Sequence, residues 1–174
     1  MKKLIVIFAA ALMMTSLAAA QTATGTLTVT ATVNSSINLV FNSDAAGVAL
    51  SSGAGTNTAS LDFGTVSAFG AIPATVTRST TGTNFTISTP VDVLVSQANS
   101  ASASYTLTTQ LSAADGTNTW AANGVTFTNA TAGTATATGS YGANVPVTLA
   151  ITIPFTTTSG TSISNVVNFT ATAN

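Results

Sequence analysis

The sequence predicts an all-β fold, a single antiparallel sandwich built from roughly nine or ten short strands. Three observations carry that reading. Apolar residues recur at every second position in window after window, which is the period of a pleated strand. Turn-forming pairs such as Asp115-Gly116 and Asn123-Gly124 separate those windows. Beyond the first residues, no window sustains a helical period.

The elements follow in chain order. Residues 1–20 read as a cleaved signal peptide, with Lys2 and Lys3 as the positive start, an apolar run from Leu4 to Met14, and Ala18-Ala19-Ala20 as the small-residue cleavage site. That run is short of the roughly 20 residues a membrane helix needs, and no later run reaches that length, so no membrane span is expected in the mature chain. Residues 21–36 form an N-terminal strand. Threonine holds every even position from Thr22 to Thr32, while Leu27, Val29, Ala31 and Val33 share the opposite face. Residues 37–174 form the sandwich domain.

Within that domain, Ile37, Leu39 and Phe41 alternate after an Asn34-Ser35-Ser36 break, and residues 42–58, rich in Ser, Gly, Ala and Asn, read as a loop. Further strands are expected at Ala59-Leu61-Phe63, Ile72-Ala74-Val76, Phe85-Ile87 and Val91-Val93-Val95. Residues 103–128 read as an antiparallel meander turning at Asp115-Gly116 and Asn123-Gly124. Val145 to Ile153 is the longest apolar alternation, and Ile163, Val167, Phe169 and Ala171 close the chain. Residues 131–140 read only as a low-complexity Thr/Ala patch. A β-solenoid is the rival architecture, but its fixed repeat length is missing.

Composition narrows function more than any motif does. The chain has three Lys/Arg, four Asp/Glu, no His and no Cys, and the four acids are all aspartates. Losing Lys2 and Lys3 with the leader takes the formal charge from −1 to −3 and leaves Arg78 as the only base. Nucleic acid binding relies on clustered Lys and Arg and is not expected. Without cysteine, an exported chain must be stabilised by its core alone, and about 154 residues suffice for one domain. Catalysis needs a nucleophile beside a base, a tuned acid or a set of metal ligands, so no enzyme activity and no cofactor is expected.

Three chemical alternatives can still be formulated. Asp62 and Asp92 could serve as a paired-carboxylate hydrolase, although either also reads as a solvent-face charge near Arg78. Loops at Asn42-Ser43-Asp44 and Asp115-Gly116-Thr117-Asn118 carry oxygen ligands for Ca²⁺, yet each has one carboxylate and reads equally as a turn. Tyr105, Trp120 and Tyr141 could form a sugar-stacking platform in a monomeric carbohydrate- or cell-surface-binding module, or could equally belong to the core.

The near absence of charge has a consequence for assembly. Soluble sandwiches protect their sheet edges with Lys, inward-pointing charge or Pro, and this chain has little of any. Strand Thr22–Val33 can therefore be the first strand of its own sandwich or a strand donated to the next subunit, since both uses share one periodicity.

The alternation Thr24–Val33, the segment Leu61-Asp62-Phe63-Gly64-Thr65-Val66 and the strand pair at Val145–Ile153 and Val166–Ala171 resemble secreted sandwich proteins of the spore coat protein U domain and the chaperone–usher pilins. That resemblance implies an immunoglobulin-like Greek-key sandwich whose subunits polymerise by N-terminal strand donation. It further implies a periplasmic chaperone and an outer-membrane usher as partners. Family members commonly carry a disulfide, which this chain cannot form. The expectation is a secreted structural subunit of a surface fibre, pilus-like or coat assembly, located in the periplasm, at the cell surface or outside. Leu27, Val29, Ala31 and Val33 would be the donor residues, and Val145 to Ile153 would line the core beside the receiving groove.

Overall fold

The computed structural model describes residues 24–99 and 102–174. The expected leader, residues 1–20, and the start of the N-terminal alternation lie outside the described residues. The chain divides into two units, Met1–Thr32 and Val33–Asn174. In the first unit, the described residues 24–32 are exposed and belong to no strand. The N-terminal strand expected over residues 22–33 is thus absent from its described part. Alternation alone does not make a strand, because a strand needs ladder partners to satisfy its backbone.

The second unit is all β, with no helix among the described residues. Its nine strands are β1 (Ser36–Asn42), β2 (Thr77–Thr81), β3 (Asn84–Ala98), β4 (Tyr105–Leu111), β5 (Thr119–Ala122), β6 (Val125–Phe127), β7 (Gly133–Gly139), β8 (Asn144–Pro154) and β9 (Val167–Ala173). Two antiparallel sheets result. One has six strands in the order β1-β3-β8-β5-β6, with β2 also on β3, and the other has three in the order β7-β4-β9.

Strand β3 is the spine of the larger sheet. It alternates without a break from Phe85 to Val95, and every odd residue is buried. On one flank it pairs with β8, from Asn84 opposite Pro154 to Leu94 opposite Asn144. On the other it pairs with β2 over residues 84–88 and with β1 over residues 92–98. Pro90 sits in the middle of this central strand, where a missing N–H normally breaks a ladder. Here its carbonyl faces Gly47 in the gap between the β1 and β2 ladders, so the missing donor falls where no ladder bond is required. The two alternations expected around Pro90 therefore join as one strand.

The core lies between the sheets. Val93, Val95, Tyr105, Leu107 and Val147 are fully buried, and each fully buried aliphatic contributes about 1.5–3 kcal/mol. One flank of the sandwich is closed. There Asn123 Nδ2 donates to the Ala135 carbonyl at 2.9 Å and the Leu111 N–H to the Thr128 carbonyl at 3.2 Å, tying β5–β6 to the smaller sheet.

Several expectations need correction. Residues 103–128 are not one meander, because β4 lies in the smaller sheet and β5 in the larger. Asp115-Gly116 therefore links sheets rather than adjacent strands. Asn123-Gly124 does close the β5–β6 hairpin, with φ of 49° and 78°. Ala59-Leu61-Phe63 and Ile72-Ala74-Val76 form no strand, although both segments pack apolar side chains on the core. The Thr/Ala patch is strand β7, and β2 was hidden because Thr-Arg-Ser-Thr-Thr has no apolar alternation.

Candidate strand-receiving groove

The flank opposite the closed one is open. Strand β1 pairs only with β3, and β9 only with β4, so each presents an outer edge among the described residues. The β1 edge is partly used. The Phe41 N–H donates to the Thr56 carbonyl at 2.8 Å and its carbonyl accepts from the Gly55 N–H at 2.7 Å. Ile37 and Leu39, at the same parity, carry no such bonds among the described residues. The Phe41 and Phe169 rings meet edge to face at 5.1 Å where β1 and β9 approach.

Beneath this opening runs a groove of about 1150 Å³. Its floor is the inner face of the larger sheet, with Ile87, Val91, Trp120, Leu149, Ile151 and Ile153. One wall is β1 with residues 57–66, and the other is residues 160–169, including Ile163 and Phe169. The site is a trough with an apolar floor and mixed polar and apolar walls, between two strand edges of which only the Phe41 position is taken. Such a trough can take an extended chain, which supplies ladder bonds to the edges and an apolar side chain at every second position to the floor. Asp62 is the one titratable side chain along its lining.

The residues assigned to donation are exposed and belong to no strand. Leu27 is 88% exposed, Val29 80% and Val33 71%, and Ala31 is exposed as well. Of the β8 stretch expected to line the core beside the groove, Val147, Ile151 and Ile153 are buried in the core, and Leu149, Ile151 and Ile153 line the groove. Leu61, Phe63 and Ile163 were legible as apolar positions, but nothing in the sequence marked them as groove walls.

The alternative sites come apart. Asp62 lies in a loop and accepts the Gly64 N–H at 2.8 Å, while Asp92 lies in β3 and accepts Asn144 Nδ2 at 3.2 Å. Burial, and then the Asp44 carboxylate, raises the Asp92 pKa. Arg78 serves neither aspartate, because its guanidinium donates to the carbonyls of Ser67 at 2.7 Å and Gly70 at 3.0 Å.

Asp115 is enclosed by donors. It accepts the Thr117 and Asn118 N–H groups, Asn118 Nδ2, and Trp120 Nε1 at 2.7 Å. Burial pushes this carboxyl upward, but the Asn118 backbone, the Trp120 indole, the Asn118 side chain and the Thr117 backbone outweigh it and hold it at about 2. Those bonds occupy the lone pairs that a cation would need, so the loop behaves as a turn. Among the described residues no group of three or more His, Cys, Asp or Glu could hold a metal ion. Tyr105 is fully buried and Trp120 nearly so, which takes both out of any surface platform.

Comparison of the chain with family models, with curated proteins and with solved structures finds no match. The arrangement therefore rests on its own geometry: two antiparallel sheets packed as a sandwich, sealed along one flank and grooved along the other.

Proposed function

We propose that this protein is a secreted, non-enzymatic structural subunit that polymerises by strand exchange, residues 24–33 of one copy occupying the groove of the next. In this reading the fold is an immunoglobulin-like Greek-key sandwich short of one strand between β1 and β9. The observation that carries it is the pairing of needs within one chain. The groove has two strand edges that are open apart from Phe41, and an apolar floor, and residues 24–33 have an exposed apolar stripe and no ladder.

Register favours a partner copy over the chain's own groove. Folding back through a two-residue Asn34-Ser35 turn would set Val33 opposite Ser36, and hence Thr32, Thr30 and Thr28 opposite Ile37, Leu39 and Phe41. Residues directly opposite share a face, so the threonines would point into the groove and Leu27, Val29 and Ala31 into water. A strand from a second copy is free of that constraint. A chaperone and an usher fit the same reading as factors that hold the groove until the next subunit arrives.

The test is a deletion. Removing residues 22–33 should leave a folded monomer that captures a synthetic 22–33 peptide one to one in size-exclusion chromatography. An unfolded product, or a folded one that ignores the peptide, would contradict strand exchange.

A further inference from the structure

We infer that the segment Leu61–Val66 is a displaceable cover of the groove, latched by Arg78, and that its release sets how fast an incoming strand is captured. The inference rests on the strand-receiving reading and adds a means of regulating it.

Phe63 and Val66 are half-buried against the core, and with Leu61 they line the groove. Leu61 and Phe63 stand two residues apart, the same spacing as the stripe Leu27, Val29, Ala31, Val33, so they offer the groove the side-chain pattern that a strand would. Yet this segment is not a strand. From Leu61 to Ile72 no backbone–backbone hydrogen bond is made among the described residues. Local links take their place, with the Gly64 N–H on Asp62 at 2.8 Å and Ser67 Oγ on the Phe69 carbonyl at 2.6 Å. A segment with side-chain packing but no ladder opens at low cost compared with the sheet beside it.

Its one strong tie to the sandwich is polar. Arg78 stands in β2 and spans the Ser67 and Gly70 carbonyls with both terminal nitrogens, at 2.7 and 3.0 Å. It is the only basic residue after Lys3, and it is spent on backbone carbonyls directly after the groove-lining stretch. A charged fork on two carbonyls is stronger than a neutral pair and geometrically selective. Opening the cover means breaking that fork and lifting Phe63 off the core while Leu61 swings away from the groove. An entering strand then regains both terms, by pairing with the edges of β1 and β9 and by placing its own apolar side chains in the vacated positions.

The experiment uses the full chain at low concentration, a fluorescently labelled 22–33 peptide and two readouts. Peptide capture is followed by anisotropy. Trp120, the only tryptophan, lines the groove and reports its opening through acrylamide quenching. Arg78→Gln should raise quenching and speed capture about tenfold, the factor expected from losing roughly one charge-assisted hydrogen bond. Arg78→Lys, which can hold one carbonyl, should fall between the two and serves if the Gln variant does not fold. Unchanged quenching would show that Arg78 is no latch, and raised quenching at an unchanged capture rate would show that the segment does not block entry. Either result overturns the inference. If quenching rises and neither protein captures peptide at any time, the strand-receiving reading itself has failed and the cover has no role to play.

Discussion

At the scale of single residues, the informative side chains are those with an unusual environment. Asp115 is held at about 2 by donors that require its ionised form. A carboxyl lowered in the fold contributes stability above its unfolded pKa, near 4, and loses it as pH falls toward 2. Asp115→Ala should therefore cost about 1–2 kcal/mol at pH 7 in urea unfolding, a figure discounted for partial exposure, and the gap from wild type should close near pH 2. Asp92 has the opposite sign. Its raised pKa means that ionisation opposes folding as pH rises through that range. Asp92→Asn should raise the thermal midpoint at pH 7 and leave it unchanged in acid below the usual carboxylate range. Gly139 is fixed by sterics, since a Cβ there would enter the Tyr105 ring. Gly139→Ala should lower stability by about 1–3 kcal/mol in the same unfolding assay. None of these three environments was legible in the sequence, because each depends on a partner that the fold brings in.

At the scale of elements, periodicity found strands where packing agreed with it. β1, β3, β4, β8 and β9 all alternate in sequence, and in β3, β4 and β8 the buried residues are apolar ones of that alternation together with Thr89 and Thr109. The same signal misled at Ala59-Leu61-Phe63, where apolar side chains reach the core from a loop, and at residues 24–33, where alternation has no ladder. It stayed silent at β2 and β7. Those strands are specified by what they pair with, Thr77–Thr81 against the Ser88–Asn84 end of β3 and the Thr/Ala run Gly133–Gly139 against β4. Threonine suits a pleated, half-wet surface, so a Thr-rich strand and a Thr-rich loop look alike until a neighbour is present. The segment at residues 24–33 invites its own test. Val29→Asp with Leu27→Asp should leave the thermal midpoint unchanged and abolish assembly as seen by sedimentation, because a charge is tolerated in solvent but not unpaired against an apolar floor.

At the scale of the whole molecule, asymmetry of closure is the central property. Side-chain and backbone bonds tie β5–β6 to the smaller sheet along one flank, while β1 and β9 part over a groove with an apolar floor along the other. The scarcity of charge pointed to an unprotected edge, but the sequence could not say which one, because that is decided by strand order rather than by any local pattern. The two-sheet architecture was legible; the location of the opening was not. A sandwich left open in this way keeps backbone groups and apolar surface available to another chain, and residues 24–33 carry the matching pattern.

The most direct measurement is residue-resolved amide hydrogen exchange of the full chain, dilute and concentrated. The account predicts that the amides of residues 27–33 exchange freely in the dilute monomer and become protected on assembly, together with Ile37, Leu39 and the free edge of β9. Slow exchange of residues 27–33 at high dilution would place the stripe within its own fold. Assemblies in which those amides stay open would show that the subunits join by some other surface, and either result would contradict polymerisation by strand exchange.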